Sequence, residues 1–300
     1  MSQSIIRNIE TEELRSLPEN LMEWTSGFIE IPATRNVIAS RAFDRAGCFV
    51  AEDKGTVVGC VAVTNLPRKN WLVVRYLAAK RALSRAYAVE KLLSRALEHV
   101  EAKKPEFLRA TTPSAQPYVD VYKSFGFKPI RRDFRMTWNL GEVSITPNKQ
   151  VEIKEMTEKT ASDLADVFVE SIKPYWDWRI EEQGGEDAAI ENFREGLRKG
   201  ERWISGSVGK EIVGFSGLVP DYYRPGEARF RGTFVLPKHR GRGLGRIMMG
   251  EAEDWARKLG QKKMTVYTFS YLDCLAPGVL LYIKSGGKIE SEYLQLQRVT

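Results

Sequence analysis

The sequence predicts a mixed α/β protein built from two tandem copies of one unit. Three matches, in the same order in each half, carry the prediction. YKSFGFK at Tyr122–Lys128 and YIKSGGK at Tyr282–Lys288 share Tyr, three residues, Gly, one residue, Lys, and lie 160 positions apart. Upstream, VAEDKGTVVGCVAV (50–63) parallels SGSVGKEIVGFSGL (205–218) and aligns Gly59 with Gly214. Each is an apolar run, a turn signal and a second apolar run, the pattern of a hairpin. Between these landmarks each half holds one amphipathic helix. Val89, Leu92, Leu93, Ala96, Leu97 and Val100 share a face in the first; Leu244, Ile247, Met248, Ala252, Trp255 and Leu259 do so in the second. Three matches in one order at offsets of 155 to 160 mean a duplicated supersecondary unit.

Each unit reads, in order, as a strand, one or two helices, a hairpin, a strand, the long helix, a strand, a short helix and terminal strands. The expected domains are 1–140 and 151–300, because LGEVSITPNKQ (140–150) breaks the periodicity and carries Pro147 and Asn148, so 141–150 reads as a linker. In the second unit strands are expected near 151–156, 202–208, 211–219, 227–236 and 262–269. Helices are expected near 159–172, 187–199, 243–259 and 277–285.

Composition narrows the function classes. The 300 residues suit two domains, and 28% charged residues is ordinary for a globular protein. No apolar run is long enough to span a bilayer, and MSQSIIRNIETEEL lacks the pattern of a signal peptide. Cys48, Cys60 and Cys274 are odd in number and widely spaced, which argues against a disulfide frame or a metal site and for a cytoplasmic setting. The net charge of +7 suits an anionic cofactor, but with no run of five Lys/Arg a nucleic-acid partner is not expected.

The sharpest motif is FVLPKHRGRGLGRIMM, residues 234–249. A strand ends at Pro237, a basic turn follows, and Gly241, Gly243 and Gly245 lead into the long helix. Such a turn exposes backbone N–H groups at the positive end of a helix dipole, where a pyrophosphate binds. Glycines let the backbone approach closely, and Arg240, Arg242 and Arg246 add charge. A dinucleotide reading would need this turn after the first strand of a βαβ unit and an acidic residue about 20 positions on. KKMTVYTF supplies none.

The fuller pattern, Val235-x-Pro237-x-x-Arg240-Gly241-x-Gly243-Leu244-Gly245, resembles the acetyl-CoA signature of the GNAT N-acetyltransferases. The strand Val266–Phe269 and then Leu281-Tyr282 before Gly286 resemble that family's second block, although Gly287 stands where a Phe is usual. The resemblance covers nearly all of 151–300. It implies two GNAT-like domains, each a mostly antiparallel central sheet flanked by helices. It also implies acetyl-CoA as cofactor, held by Val235, Leu236, Arg240, Gly241, Arg242, Gly243, Leu244, Gly245 and Arg246. In the first unit, Tyr87, Ala88 and Val89 fall where Gly-x-Gly should be and Ser84 at the Arg position, so that copy is expected to be degenerate.

What the family does implies direct attack of a primary amine, on a small molecule or a peptide, on the acetyl thioester. A neutral amine is needed, against an alkylammonium pKa of about 10. Stabilisation of the thioester oxygen is expected from a backbone N–H near Val235–Leu236. Tyr282, at the matching Tyr position, is the candidate to assist the leaving thiolate, or else a core tyrosine. Glu227, at the head of the strand, is the candidate base, or else a solvent-facing carboxylate. His239 suits a phosphate-side or exposed role. Tyr175, Trp176 and Trp178 form a pocket wall or a packing cluster. Period-two alternation puts Arg229 and Arg231 on one face, where they would clamp an acidic acceptor, or else form a solvated edge, since a strand bulge could reverse the facing. A non-catalytic acetyl-CoA-binding protein is the alternative. No metal is expected, and oligomeric state is not legible.

Overall fold

The computed structural model describes residues 5–25, 29–66, 70–80, 85–114, 118–142 and 150–299. The first half contains β1 (Ile5–Asn8), α1 (Thr11–Trp24), α2 (Ile31–Ile38), β2 (Phe43–Asp53), β3 (Thr56–Asn65), β4 (Trp71–Ala79), α3 (Arg85–Glu101), β5 (Phe107–Pro113), α4 (Tyr118–Ser124) and β6 (Lys128–Asn139). The second contains β7 (Glu152–Glu155), α5 (Glu158–Asp163), α6 (Ala165–Ile172), α7 (Asp177–Gln183), α8 (Glu186–Arg198), β8 (Arg202–Val208), β9 (Glu211–Arg224), β10 (Glu227–Val235), α9 (Leu244–Lys258), β11 (Lys263–Ser270), α10 (Pro277–Lys284) and β12 (Lys288–Val299).

Local chemistry sets these boundaries. The β2–β3 turn passes through Lys54 and Gly55, both at positive φ, which is why a glycine stands there. Thr157 caps α5, its hydroxyl accepting the Thr160 N–H at 3.1 Å. The single helix expected over 159–172 is broken at Leu164 into α5 and α6, and α7 is an additional short helix. α7 stops at Gly184, whose left-handed conformation ends the helix.

In one compact unit the strands lie in the order β1-β2-β3-β4-β5-β12, and in the other β6-β11-β10-β9-β8-β7. β4–β5 and β10–β11 are parallel, whereas β1–β2, β2–β3, β3–β4, β5–β12, β7–β8, β8–β9 and β9–β10 are antiparallel. The units do not follow a cut at 141–150. One comprises the chain up to Arg132 together with the stretch from Ser291; the other is Asp133–Glu290. The two terminal strands are therefore exchanged: β12 pairs with β5 from Tyr293 to Val299, and β6 supplies Phe134, Met136 and Trp138 to the core of the second unit. Leu140–Glu142 forms a single turn of 3-10 helix; residues 143–149 of the expected linker lie outside the described residues.

Each sheet is covered on both faces. In the first unit alternate residues of β2 divide, Phe49 and Ala51 packing with the α3 face and Cys48 and Val50 with the α1 face. Cys48 and Cys60 are buried free thiols of that second cluster, and Cys274 is an exposed free thiol. In the second unit α9 lays Met249, Ala252, Trp255 and Ala256 against Ile204, Leu218 and Phe230. Phe193 of α8 packs with Trp203 and Phe215 in a separate cluster. Burying each such side chain contributes about 1.5–3 kcal/mol. No helix among the described residues is long and apolar enough to cross a membrane.

Candidate active site

The second unit opens between two parallel strands. β10 and β11 pair only over Glu227–Arg229 with Lys263–Thr265, and beyond that point the strands part. The cause is a register shift between Phe230 and Gly232 against β9. Gly232 sits at φ +122, and a Cβ there would lie 2.8 Å from the Phe234 ring and 3.2 Å from the Tyr282 hydroxyl. Only glycine fits.

The shift also reverses which way the strand faces. Before it, Ala228 and Phe230 pack with the α9 core. After it, the Thr233 hydroxyl meets Ser216 Oγ at 2.8 Å and Val235 packs near Leu244 and Met248, while Phe234 joins Phe168 and Trp203 on the opposite face. The Leu236 N–H, one of two amides expected to stabilise the thioester oxygen, donates instead to Val213 O at 3.0 Å. Antiparallel bonding alternates, so the N–H groups of Thr233 and Val235 turn to the β11 side. Thr233 N–H donates to Tyr282 Oη at 3.2 Å. Val235 N–H is left as the amide aimed into the opening.

Tyr282 is 4% exposed, on α10, and meets Trp138 edge-on at 5.4 Å and Phe230 at 6.1 Å. Burial pushes its pKa up to about 12, against the pull of the Thr233 N–H. Trp138 also explains a departure in the motif. A Cβ at Gly287 would lie 2.7 Å from the Trp138 ring, so no larger residue fits there. In the first unit, Phe127 at the equivalent position packs edge-on against Tyr122 at 5.2 Å. Trp138, arriving on β6, does the same for Tyr282.

The glycine turn lies beside this opening. Gly241 and Gly243 adopt φ +77 and +80, and a Cβ on either would meet nothing within 4 Å, so these positions are open to a ligand and closed to side chains by backbone conformation. α9 starts at Leu244 with no side chain capping Gly243; the first intrahelical bond is Arg246 N–H to Gly243 O at 3.1 Å. The amides of Leu244 and Gly245 precede it and are unpaired within the helix, the arrangement that takes a phosphate. Arg242 and Arg246 are exposed beside them. These residues fit a pyrophosphate.

Arg240 does something else. Its Nε donates to Val235 O at 2.9 Å, and its Nη2 donates to Ser171 O at 2.9 Å and to Lys173 O. The guanidinium lies over the Tyr175 ring at 4.8 Å. It is a strut between the glycine turn and the C-terminal end of α6, with Nε and Nη2 engaged by backbone carbonyls. Beyond that strut Trp176 and Trp178 stack at 5.6 Å, each edge-on to Phe269 of β11, at 5.1 and 5.6 Å. Trp176 also approaches Phe234 at 6.5 Å.

With this geometry established, comparison with known proteins is decisive at the level of family. The sequence profile described as Acetyltransferase (GNAT) family matches residues 11–127 and 165–273. The chain belongs to the GNAT acetyltransferase family. No curated protein matches it by sequence. Among solved structures it is similar to a GCN5-related N-acetyltransferase from Sphaerobacter thermophilus, with 14% identity, a TM-score of 0.70, and coverage of 98% of this chain and 95% of that one. It is also similar to a tandem GNAT protein from the clavulanic acid biosynthesis pathway, at 13% identity and TM-score 0.67, covering 99% and 98%. A GCN5-related glucosamine N-acetyltransferase region of a fungal β-N-acetylglucosaminidase matches at 13% identity and TM-score 0.71, covering 99% of this chain and 38% of that one. At such identities the likeness is one of fold.

Both halves thus have the GNAT fold, and among the described residues the glycine turn is in the second. In the first, residues 81–84 lie outside the described residues; Tyr87 is exposed, with Lys91 over its ring at 4.3 Å, and Ala88 and Val89 are buried. Tyr122 is buried, and burial raises its pKa.

Several expected residues are placed elsewhere. Glu227 pairs with Arg224 at 2.6 Å at the closed end of β10, six residues and about 20 Å along the strand from Thr233, too far to act as the base. Arg231 pairs with Glu201 at 3.1 Å, and Arg229 donates to the Tyr222 hydroxyl at 2.9 Å, so the two do not form a clamp. His239 is buried in the turn rather than exposed. Thr233, Phe234, Phe269 and Trp138 belong to the site and were not singled out from the sequence. The missing Phe at Gly287 was the one signal of Trp138.

Proposed function

We propose that the chain is an acetyl-CoA-dependent N-acetyltransferase acting on a primary amine, with its chemistry in the second unit. The observation that carries this reading is the Tyr282 hydroxyl, fixed by the Thr233 amide where β10 and β11 part, next to an open glycine turn. Bound acetyl-CoA would supply an activated acetyl thioester. Gly241, Gly243, Leu244 and Gly245 hold its pyrophosphate through backbone amides, with Arg242 and Arg246 adding charge. Val235 N–H stabilises charge developing on the thioester oxygen.

The transfer forms an N–C bond and breaks a C–S bond, the amine giving up a proton to solvent. Tyr282 accepts from Thr233 N–H, so its own O–H is available to donate towards sulfur. Against a thiol pKa of about 8.5, complete proton transfer from a phenol near 12 is uphill by about 5 kcal/mol. Tyr282 therefore acts by hydrogen-bonding the sulfur as negative charge develops. Titration calorimetry with acetyl-CoA, followed by CoA release in the presence of amines, tests the proposal. Binding without release for any amine would leave only the non-catalytic reading.

A further inference from the structure

We infer that the acceptor is an arylalkylamine, a primary amine on a short chain attached to an aromatic ring. The inference rests on the transfer reading above and concerns the other side of the same opening. Phe234 immediately follows Thr233 on β10, and Phe269 stands on β11, so the two strands that part at the Tyr282 hydroxyl each present a ring beside it. Trp176 bridges them, and Trp178 stacks on Trp176, both edge-on to Phe269. Tyr271, 45% exposed, extends the wall edge-on from Phe269 at 6.2 Å.

Two features make this a built site. First, the wall is fixed before any ligand arrives: Arg240 holds the carbonyls of Ser171 and Lys173, and its guanidinium lies over the Tyr175 ring. Binding to a preorganised wall spares the ordering cost. Second, both tryptophans remain partly exposed while Asp177 between them points to solvent. Flat aromatic surface left open at a reaction site is matched by a flat apolar ligand.

The rings also answer the problem of the base. Low-polarity surroundings disfavour the ammonium, lowering the amine's pKa and releasing the proton to water. Glu227 is not needed. Arg229 and Arg231 are engaged with Tyr222 and Glu201, so recognition falls to the rings. A polyamine or a lysine side chain would bring polar groups against surfaces that cannot pair them.

The test uses the full chain, acetyl-CoA and a thiol-reactive dye, comparing 2-phenylethylamine and tryptamine with n-butylamine, spermidine and an Nα-blocked lysine. The expected kcat/KM is about 10- to 100-fold higher for the aryl amines, a discrimination in the range an apolar pocket supplies. Trp176→Ala should raise the KM for 2-phenylethylamine about tenfold or more without altering acetyl-CoA affinity, and Trp176→Phe should restore most of it. Phenylethylamine should also quench the intrinsic fluorescence of the unaltered protein saturably, a readout independent of variant folding. Equal use of spermidine or butylamine, an unchanged preference in Trp176→Ala, or no saturable quench would overturn the inference while leaving the transfer reading intact. Acetyl-CoA binding with no amine acetylated would overturn both.

Discussion

Replacing Arg240 by Ala separates two roles that the sequence cannot distinguish. Its motif position suggests a phosphate contact; its hydrogen bonds make it a strut to Val235, Ser171 and Lys173. A hydrogen bond to a charged donor is worth about 1.5–3 kcal/mol, and three sharing one side chain are not additive. Solvent can reach the partly exposed guanidinium and rehydrate the released carbonyls, so the expected loss is about 2–4 kcal/mol. At about 2–4 °C per kcal/mol for a unit of this size, the unfolding midpoint of the second unit should fall by about 4–16 °C. Lys, which cannot fork between two carbonyls, should rescue only part. The acceptor wall depends on the strut, so the acceptor KM should rise while calorimetric acetyl-CoA affinity changes less than about threefold, under 1 kcal/mol. A tenfold loss of acetyl-CoA affinity with the midpoint and acceptor KM unchanged would refute the strut and make Arg240 a phosphate ligand.

Other consequences follow from the same geometry. Tyr282→Phe should lower turnover by roughly 10- to 10⁴-fold with acetyl-CoA affinity nearly constant; unchanged CoA release with a good amine would remove Tyr282 from the mechanism. Gly243→Val forces a β-branched residue to φ +80 and should abolish measurable acetyl-CoA binding, with one site per unaltered chain. A calorimetric stoichiometry of two would place a second site in the first unit. Glu253 is 2% exposed, and burial raises its pKa to about 7 from 4.5, with Arg257 opposing. The folded state then holds a proton that the unfolded state has lost. That contribution, up to about 3 kcal/mol, is complete below pH 4.5 and lost as pH rises through 7. Glu253→Gln should flatten urea stability between those limits; an unaltered slope would show that Glu253 does not carry it.

How far the sequence reaches depends on how local the information is. Gly241, Gly243, the face of α9 and the two hairpins are written in consecutive residues, and their periodicity or backbone demands can be read directly. Tyr282 was legible because it stands at the family's matching Tyr position, in a stretch that also repeats around Tyr122. The shift at Gly232 is different: a glycine inside a strand announces irregularity, but not that Thr233 will turn to the α9 side and Phe234 away from it. Arg229 and Arg231 could be placed on one face by alternation, but not their partners Tyr222 and Glu201, which come from other positions in the chain. Arg240 was assigned by motif, whereas its partners, Ser171 and Lys173, are some 70 positions upstream. Least legible was the exchange of β6 and β12, because strand order in a sheet is set by packing at long sequence separation and leaves no periodic trace.

That exchange also has a temporal side. A chain emerges from the ribosome at about 5–20 residues per second, so about 8–30 s pass between Arg132 and Ser291. Throughout that interval the first unit lacks its last strand, and β5, with its buried Leu108 and Ala110, has an open edge. An unpaired edge of that kind invites pairing with another chain. The nascent second unit, by contrast, has Trp138 in hand before Tyr282 is made. The second unit is therefore completed first, and the first must wait for β12.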